Sequence, residues 1–156
     1  MKPEQYFFKY AFPCAQVLLD QHKIDKAAYD ELKRRFYANE DVSKKDLEQI
    51  FVNGFRRLKI VANKMGKQPW DNEVIRRYFV EEHNQFIDEG EGEYANFGED
   101  FRSVCKVYEA EIIDKKDNIL TVKYNNTTRK VLGDIVKNAK VGDKVTIHLG
   151  FAIEIL

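Results

Sequence analysis

Apolar positions change their spacing along this chain. Over about the first 90 residues they recur every three or four positions, the rhythm of amphipathic helices. Over about the last 55 they alternate, the rhythm of half-buried strands. The stretch from Pro3 to about His22 predicts a first helix, with Pro3 suited to its start and Pro13 bound to start, stop or kink an element. Asp25 is a fitting N-cap for a second helix carrying Ala28, Leu32 and Phe36. Ser43 caps a third, whose stripe runs through Leu47, Ile50, Phe51, Leu58, Val61, Ala62 and Met65 to the stop at Gly66. Asp71 caps a fourth, with Val74, Ile75, Tyr78, Phe79 and Phe86 turned inward.

Asp88–Asp100, DEGEGEYANFGED, is rich in glycine and acidic residues and reads as a linker or surface loop. Beyond it come short strands and tight turns. VYEAEII, ILTVKY and TTRKVL are strands separated by DKKDN and NN, and GDIVKNAKVGD is a longer connection. KVTIHLGFAIEIL then forms one long strand or two joined at Gly150. The pattern predicts an α+β protein, with a four-helix domain over residues 1–97 and a small barrel of the OB or SH3 kind over residues 98–156.

Charge narrows the functional classes. The 26 basic and 26 acidic residues cancel. Each half is balanced as well, 16 against 17 up to Phe97 and 10 against 9 after it. That is not the excess with which a protein holds nucleic acid by its phosphates. An OB-type nucleic-acid module is the competing reading, with Lys123, Tyr124, Arg129 and Lys130 as its basic and aromatic residues. No apolar run approaches the roughly 20 residues of a membrane span, and no cleavable leader is recognised, so a cytoplasmic protein is expected. Two cysteines, Cys14 and Cys105, make no disulfide framework and no CxxC zinc motif. No nucleophile–base pair or phosphate loop points to an enzyme.

Val145, Ile147 and Leu149 alternate with Thr146, His148 and Gly150, so His148 is expected on the strand face away from the core. Gly150 is expected to mark a close approach by something else. Taken alone, His148 reads as a solvent-facing polar residue and Cys105 as a small hydrophobe. Cys14 reads as core packing or as a thiol at a helix start, and EEHNQFIDEGEGE as a solvated acidic face around His83. The pairs Arg34–Arg35, Arg56–Arg57 and Arg76–Arg77 read as ordinary surface. The aromatics Tyr6, Phe7, Phe8, Tyr10 and Phe12 read as core or as a partner interface.

VGDKVTIHLGFAIEIL, Val141 to Leu156, resembles the ending of the HypC/HupF hydrogenase-maturation chaperones, in which a Gly-Asp turn leads into a strand bearing histidine, glycine, phenylalanine and alanine. YNNTTRKVLGDIV resembles the middle of that family, and Cys105 stands where the family has its cysteine, so the likeness covers Cys105 to Leu156. In the family the cysteine follows the initiator methionine and a proline comes shortly after it. Here Cys105 is internal and is followed by Val107 and Tyr108. The resemblance implies an OB-like barrel and a non-catalytic accessory protein. Such a protein holds iron bearing cyanide and carbon monoxide transiently, together with a maturation factor, and delivers it to the hydrogenase large subunit. It implies Cys105 and His148 as the metal-binding pair, with Gly150 and Phe151 beside them as partner-binding residues. A thiolate suits low-spin iron, and a nearby imidazolium is expected to lower the thiol pKa. The helical domain is expected to dock a partner.

Overall fold

The computed structural model describes all residues, Met1–Leu156. The chain forms two compact units, Met1–His83 and Asn84–Leu156. The Asp88–Asp100 stretch therefore lies within the second unit.

The first unit contains six α-helices rather than four: α1 Pro3–Ala11, α2 Ala15–Asp20, α3 Lys26–Ala38, α4 Lys44–Ile50, α5 Val52–Met65 and α6 Asn72–Arg76. Two of the expected helices are each divided. Pro13 sits in a 3₁₀ turn, Phe12–Cys14, that separates α1 from α2. Phe51 leaves the helical region (φ −98°, ψ 55°) and separates α4 from α5. The sequence after it, Val52-Asn53-Gly54, has little helix propensity with which to resist that break. The caps fall where the sequence puts them. Asp25 accepts from the Ala28 N–H, Ser43 from Asp46 and Asp71 from Glu73, and Gly66 ends α5 at φ 64°. A π-helical segment, Arg77–Glu82, follows α6 and leads into α7, His83–Asp88.

Aromatic rings make the core of this unit. Phe7 meets Phe51, Trp70 and Phe79 edge-on at 6.2, 5.4 and 5.5 Å, and Phe12 stacks on Phe36 at 4.2 Å. Phe7, Phe8, Tyr10 and Phe12 are buried, so the aromatic opening of the chain is core. Arg34 and Arg35 share Glu31 at the surface, as adjacent arginines on a solvated face do. Arg57 does not fit the surface reading, being only 1% exposed.

The second unit begins with residues 84–88 of α7. A 3₁₀ turn, Gly92–Asn96, comes next within the stretch expected to be a linker or surface loop, and helix α8, Glu99–Cys105, starts at its end. Strands β1 Val107–Lys116, β2 Ile119–Tyr124, β3 Thr127–Leu132, β4 Lys144–His148 and β5 Phe151–Ile155 close into a barrel in the order β1-β2-β3-β5-β4. β1 is shared between two neighbours. Its first residues pair with β4, from Val107↔His148 to Glu111↔Lys144. From Glu111 onward it pairs with β2, as far as Lys116↔Ile119. A bulge between Ile112 and Asp114 marks the turn from one partner to the other. All pairs are antiparallel except β3 with β5, which meet in parallel at Leu132↔Phe151.

Asn125 and Asn126 both take positive φ, 46° and 59°, the backbone of the two-residue hairpin turn that NN signals. The final apolar run is two strands, with Leu149 and Gly150 as the turn. Inside the barrel pack Ala110, Ile112, Leu120, Val122, Val131, Val145, Ile147 and Ala152, and Val136 and Ala139 of the long connection join them. At the end of β3, a Cβ on Gly133 would stand 3.0 Å from Leu120 Cδ1, and its N–H donates to the Asn118 carbonyl at 2.7 Å.

Urea unfolding is expected to rank two barrel substitutions. Ile112→Ala opens a cavity in the closed barrel and should cost about 2–5 kcal/mol. Gly133→Ala forces a methyl against Leu120 and should cost about 1–3 kcal/mol.

Candidate functional site at the β1 entrance

Strand directions put three features at one end of the barrel: the entrance to β1, the β2–β3 turn and the β4–β5 turn. Cys105, His148, Gly150 and Phe151 all belong to this end. Cys105 is the last residue of α8 and lies two positions ahead of Val107, whose partner across the β1–β4 ladder is His148. His148 is in turn paired with Phe151 across the β4–β5 hairpin. Residues distant in sequence are thus gathered by backbone pairing alone.

The start of β1 is held from its other side by a side chain. Asn84 accepts the Val107 N–H at 2.8 Å and donates to the Val107 carbonyl at 2.7 Å. One carboxamide therefore does what a neighbouring strand would do for this residue. Beside it, a cleft is lined by Asp88, Phe97, Glu99, Arg102, Ser103 and Lys106. Lys106 pairs with Asp88 at 2.6 Å, and Arg102 donates to the Phe97 carbonyl at 3.0 Å.

Burial departs from the sequence expectation at His148 and agrees with the reading of Cys105 as a small hydrophobe. His148 is fully buried, as is Thr146 on the same face of β4, so that face is covered and does not look into solvent. Cys105 is 4% exposed. Burial, with a smaller contribution from the Glu93 carboxylate, pushes its thiol up to about 11. The thiol is therefore made less acidic, where a lowered pKa was expected, and is protonated at neutral pH. Gly150 is exposed and has open space where a side chain would stand, and the close approach is to its backbone, whose carbonyl accepts the Leu132 N–H at 2.8 Å. Phe151 is half-buried. Neither cysteine is in a disulfide, and Cys14 is half-buried at the end of its 3₁₀ turn. His83 is buried against Tyr78 and Phe79 and is not on a solvated face. No group of three or more histidine, cysteine, aspartate and glutamate side chains stands together as a metal site.

The basic and aromatic residues of the nucleic-acid reading are divided between two faces. Lys123 and Lys130 are exposed on the outside of the barrel, whereas Tyr124 and Arg129 turn toward its interior. They do not form the single groove of interleaved rings and charges that stacking on single strands needs.

The last third of the chain is thus a closed five-stranded barrel with one buried cysteine and one buried histidine at one end. The sequence pattern of the HupF/HypC family matches this segment, residues 105–156. The match begins at Cys105 and includes His148, Gly150 and Phe151. No curated protein matches the chain. No helix is long and apolar enough to cross a membrane.

Sequence reasoning missed Asn84 and α8. For α8 the signal is present, since Gly98 is followed by Glu99 and Asp100 in a first turn and Arg102 in the last. For Asn84 nothing in the sequence marks a backbone-bridging role.

Two outcomes are expected. Asn84→Ala leaves both Val107 backbone groups without this partner and should cost about 1–3 kcal/mol in urea unfolding. The unfolded thiol of Cys105 ionises near its ordinary value of 9.0, below its value in the folded chain. Its contribution to stability is therefore complete below about pH 9 and is lost as pH rises to about 11. The urea midpoint of the wild type should fall over that window more steeply than that of Cys105→Ala.

Proposed function

We propose that this protein is a non-catalytic accessory factor of hydrogenase maturation, acting in the cytoplasm through protein partners. The observation that carries the reading is the HupF/HypC match, which starts at Cys105 and runs through His148 to Leu156. The barrel supports it. The strand order β1-β2-β3-β5-β4, with a single parallel contact between β3 and β5, is consistent with an OB-like barrel. The gathering of Cys105, His148 and Phe151 at one end supports their service as one site.

In this reading iron is cargo. Cys105 supplies a soft sulfur donor and His148 an imidazole, and a maturation factor or the hydrogenase large subunit supplies the remaining donors. Cys105 is buried and protonated in the isolated chain, so loading requires its exposure and the loss of its proton on engagement with the partner. Gly150 and Phe151, the first exposed and the second half-buried at the same end, belong to the contact. Residues 98–156 act as the carrier domain, and the helical domain of residues 1–97 docks a further partner.

Anaerobic co-purification from the native host, comparing wild type with Cys105→Ala, tests the reading. Hydrogenase-maturation proteins and the infrared bands of iron-bound cyanide and carbonyl are expected with the wild type, and the bands should vanish in the variant. Absence of both partners and bands from the folded wild type would overturn the proposal.

A further inference from the structure

Alternation along three strands turns Tyr108, Tyr124 and Arg129 to the inner side of the barrel. Tyr108 precedes buried Ala110 and Ile112 by even steps, Tyr124 follows Leu120 and Val122, and Arg129 precedes Val131. Both tyrosines pack against the barrel core. Their rings are 4.5 Å apart, and the Arg129 guanidinium carbon lies 5.2 Å from the Tyr124 ring centre and 6.0 Å from that of Tyr108. The three lie near the barrel end that carries the β1 entrance and the β2–β3 turn.

Arg129 has no counter-charge there. Its Nε and Nη2 are buried and neither has a hydrogen-bond acceptor. The acids on Tyr108's strand β1, Glu109 and Glu111, are exposed on the outer face. Arg129 as a whole is half-buried, but two buried donors without partners are costly, and ring faces compensate only in part. The two orphaned donors make one edge of the guanidinium, the fork that grips both oxygens of a carboxylate. The same edge of Arg34 does this in the same molecule, donating to the two Glu31 oxygens at 3.0 and 2.9 Å.

We propose that Tyr108, Tyr124 and Arg129 form a carboxylate-binding site in the barrel mouth. A single fork beside a pair of packed rings fits a flat, singly charged group. A phosphodiester chain needs a track of charges, and Lys123 and Lys130 are on the other face. The Tyr108 hydroxyl is tied to the Ser103 carbonyl at 3.0 Å, whereas Tyr124 adjoins the Asn125–Asn126 turn. Tyr124 is therefore the side that moves to admit the ligand. The inference does not depend on the hydrogenase reading.

The test follows the arginine Nε–H signals of the full-length ¹⁵N-labelled protein. Arg129 is assigned by the signal lost in Arg129→Lys. The probes are acetate, the blocked peptide acetyl-Gly-Glu-Gly-amide, and acetamide and chloride as controls. Both carboxylates should displace the Arg129 signal saturably and both controls should not. Arg129→Lys keeps the charge but loses the fork, and should weaken binding, followed by backbone amide signals of the same end, by about tenfold or more. Tighter binding of the peptide assigns the carboxylate to a polypeptide, and equal binding assigns it to a free small acid. Arg129→Met should abolish binding at a Tm equal to or above that of the wild type, because it removes two buried donors that have no acceptor. The proposal fails if neither carboxylate displaces the signal, if chloride does so equally, or if Arg129→Lys binds as tightly. A fall in Tm for Arg129→Met would equally overturn it, by making the guanidinium a structural member of the core.

Discussion

The double use of β1 is the constraint on which the barrel depends. One ten-residue strand pairs with β4 through its first half and with β2 through its second, so a sheet that would otherwise have two open edges closes on itself. The bulge at Ile113 lets the strand change direction between these partners without losing the inward sequence Tyr108, Ala110, Ile112. Closure also fixes the end that carries the β1 entrance. Once Val107 is paired with His148, the end of α8 and its Cys105 must lie beside the β4–β5 hairpin.

Local signals in the sequence carried much of this. The caps at Asp25, Ser43, Asp71 and Gly66 and the Asn125–Asn126 turn are short-range features, satisfied within a few residues of where they are written. Phe51 was not legible, because its side chain continues the stripe of the helix that its backbone interrupts. Nor was the covering of His148. Alternation tells which residues share a face of a strand, but it cannot tell whether the second face is covered, and on β4 both are. The helix that ends at Cys105 was not read at all, although helical signals run from Gly98 onward.

A buried, protonated thiol and a buried imidazole change how the family motif is understood here. The sequence places the cysteine and the histidine within the matched segment, while the fold keeps both out of water and holds the thiol protonated. Leu149, at φ 50° beside His148, places a bulky side chain in a backbone conformation that such residues rarely adopt. The β4–β5 hairpin thus combines a buried polar residue with a strained turn, both of which the surrounding ladder must hold in place.

The carboxamide of Asn84 has a consequence for recognition. Extended peptides commonly bind by adding a strand to a free sheet edge, where they use the backbone donors and acceptors left on that side. Along the opening of β1, on the side away from β4, the donor and acceptor of Val107 are already occupied by one side chain. A visiting strand finds no template at that position, and neither does a second copy of the barrel. Whatever approaches the β1 entrance must read side chains and shape rather than main chain, so specificity at this end rests on the residues that surround it.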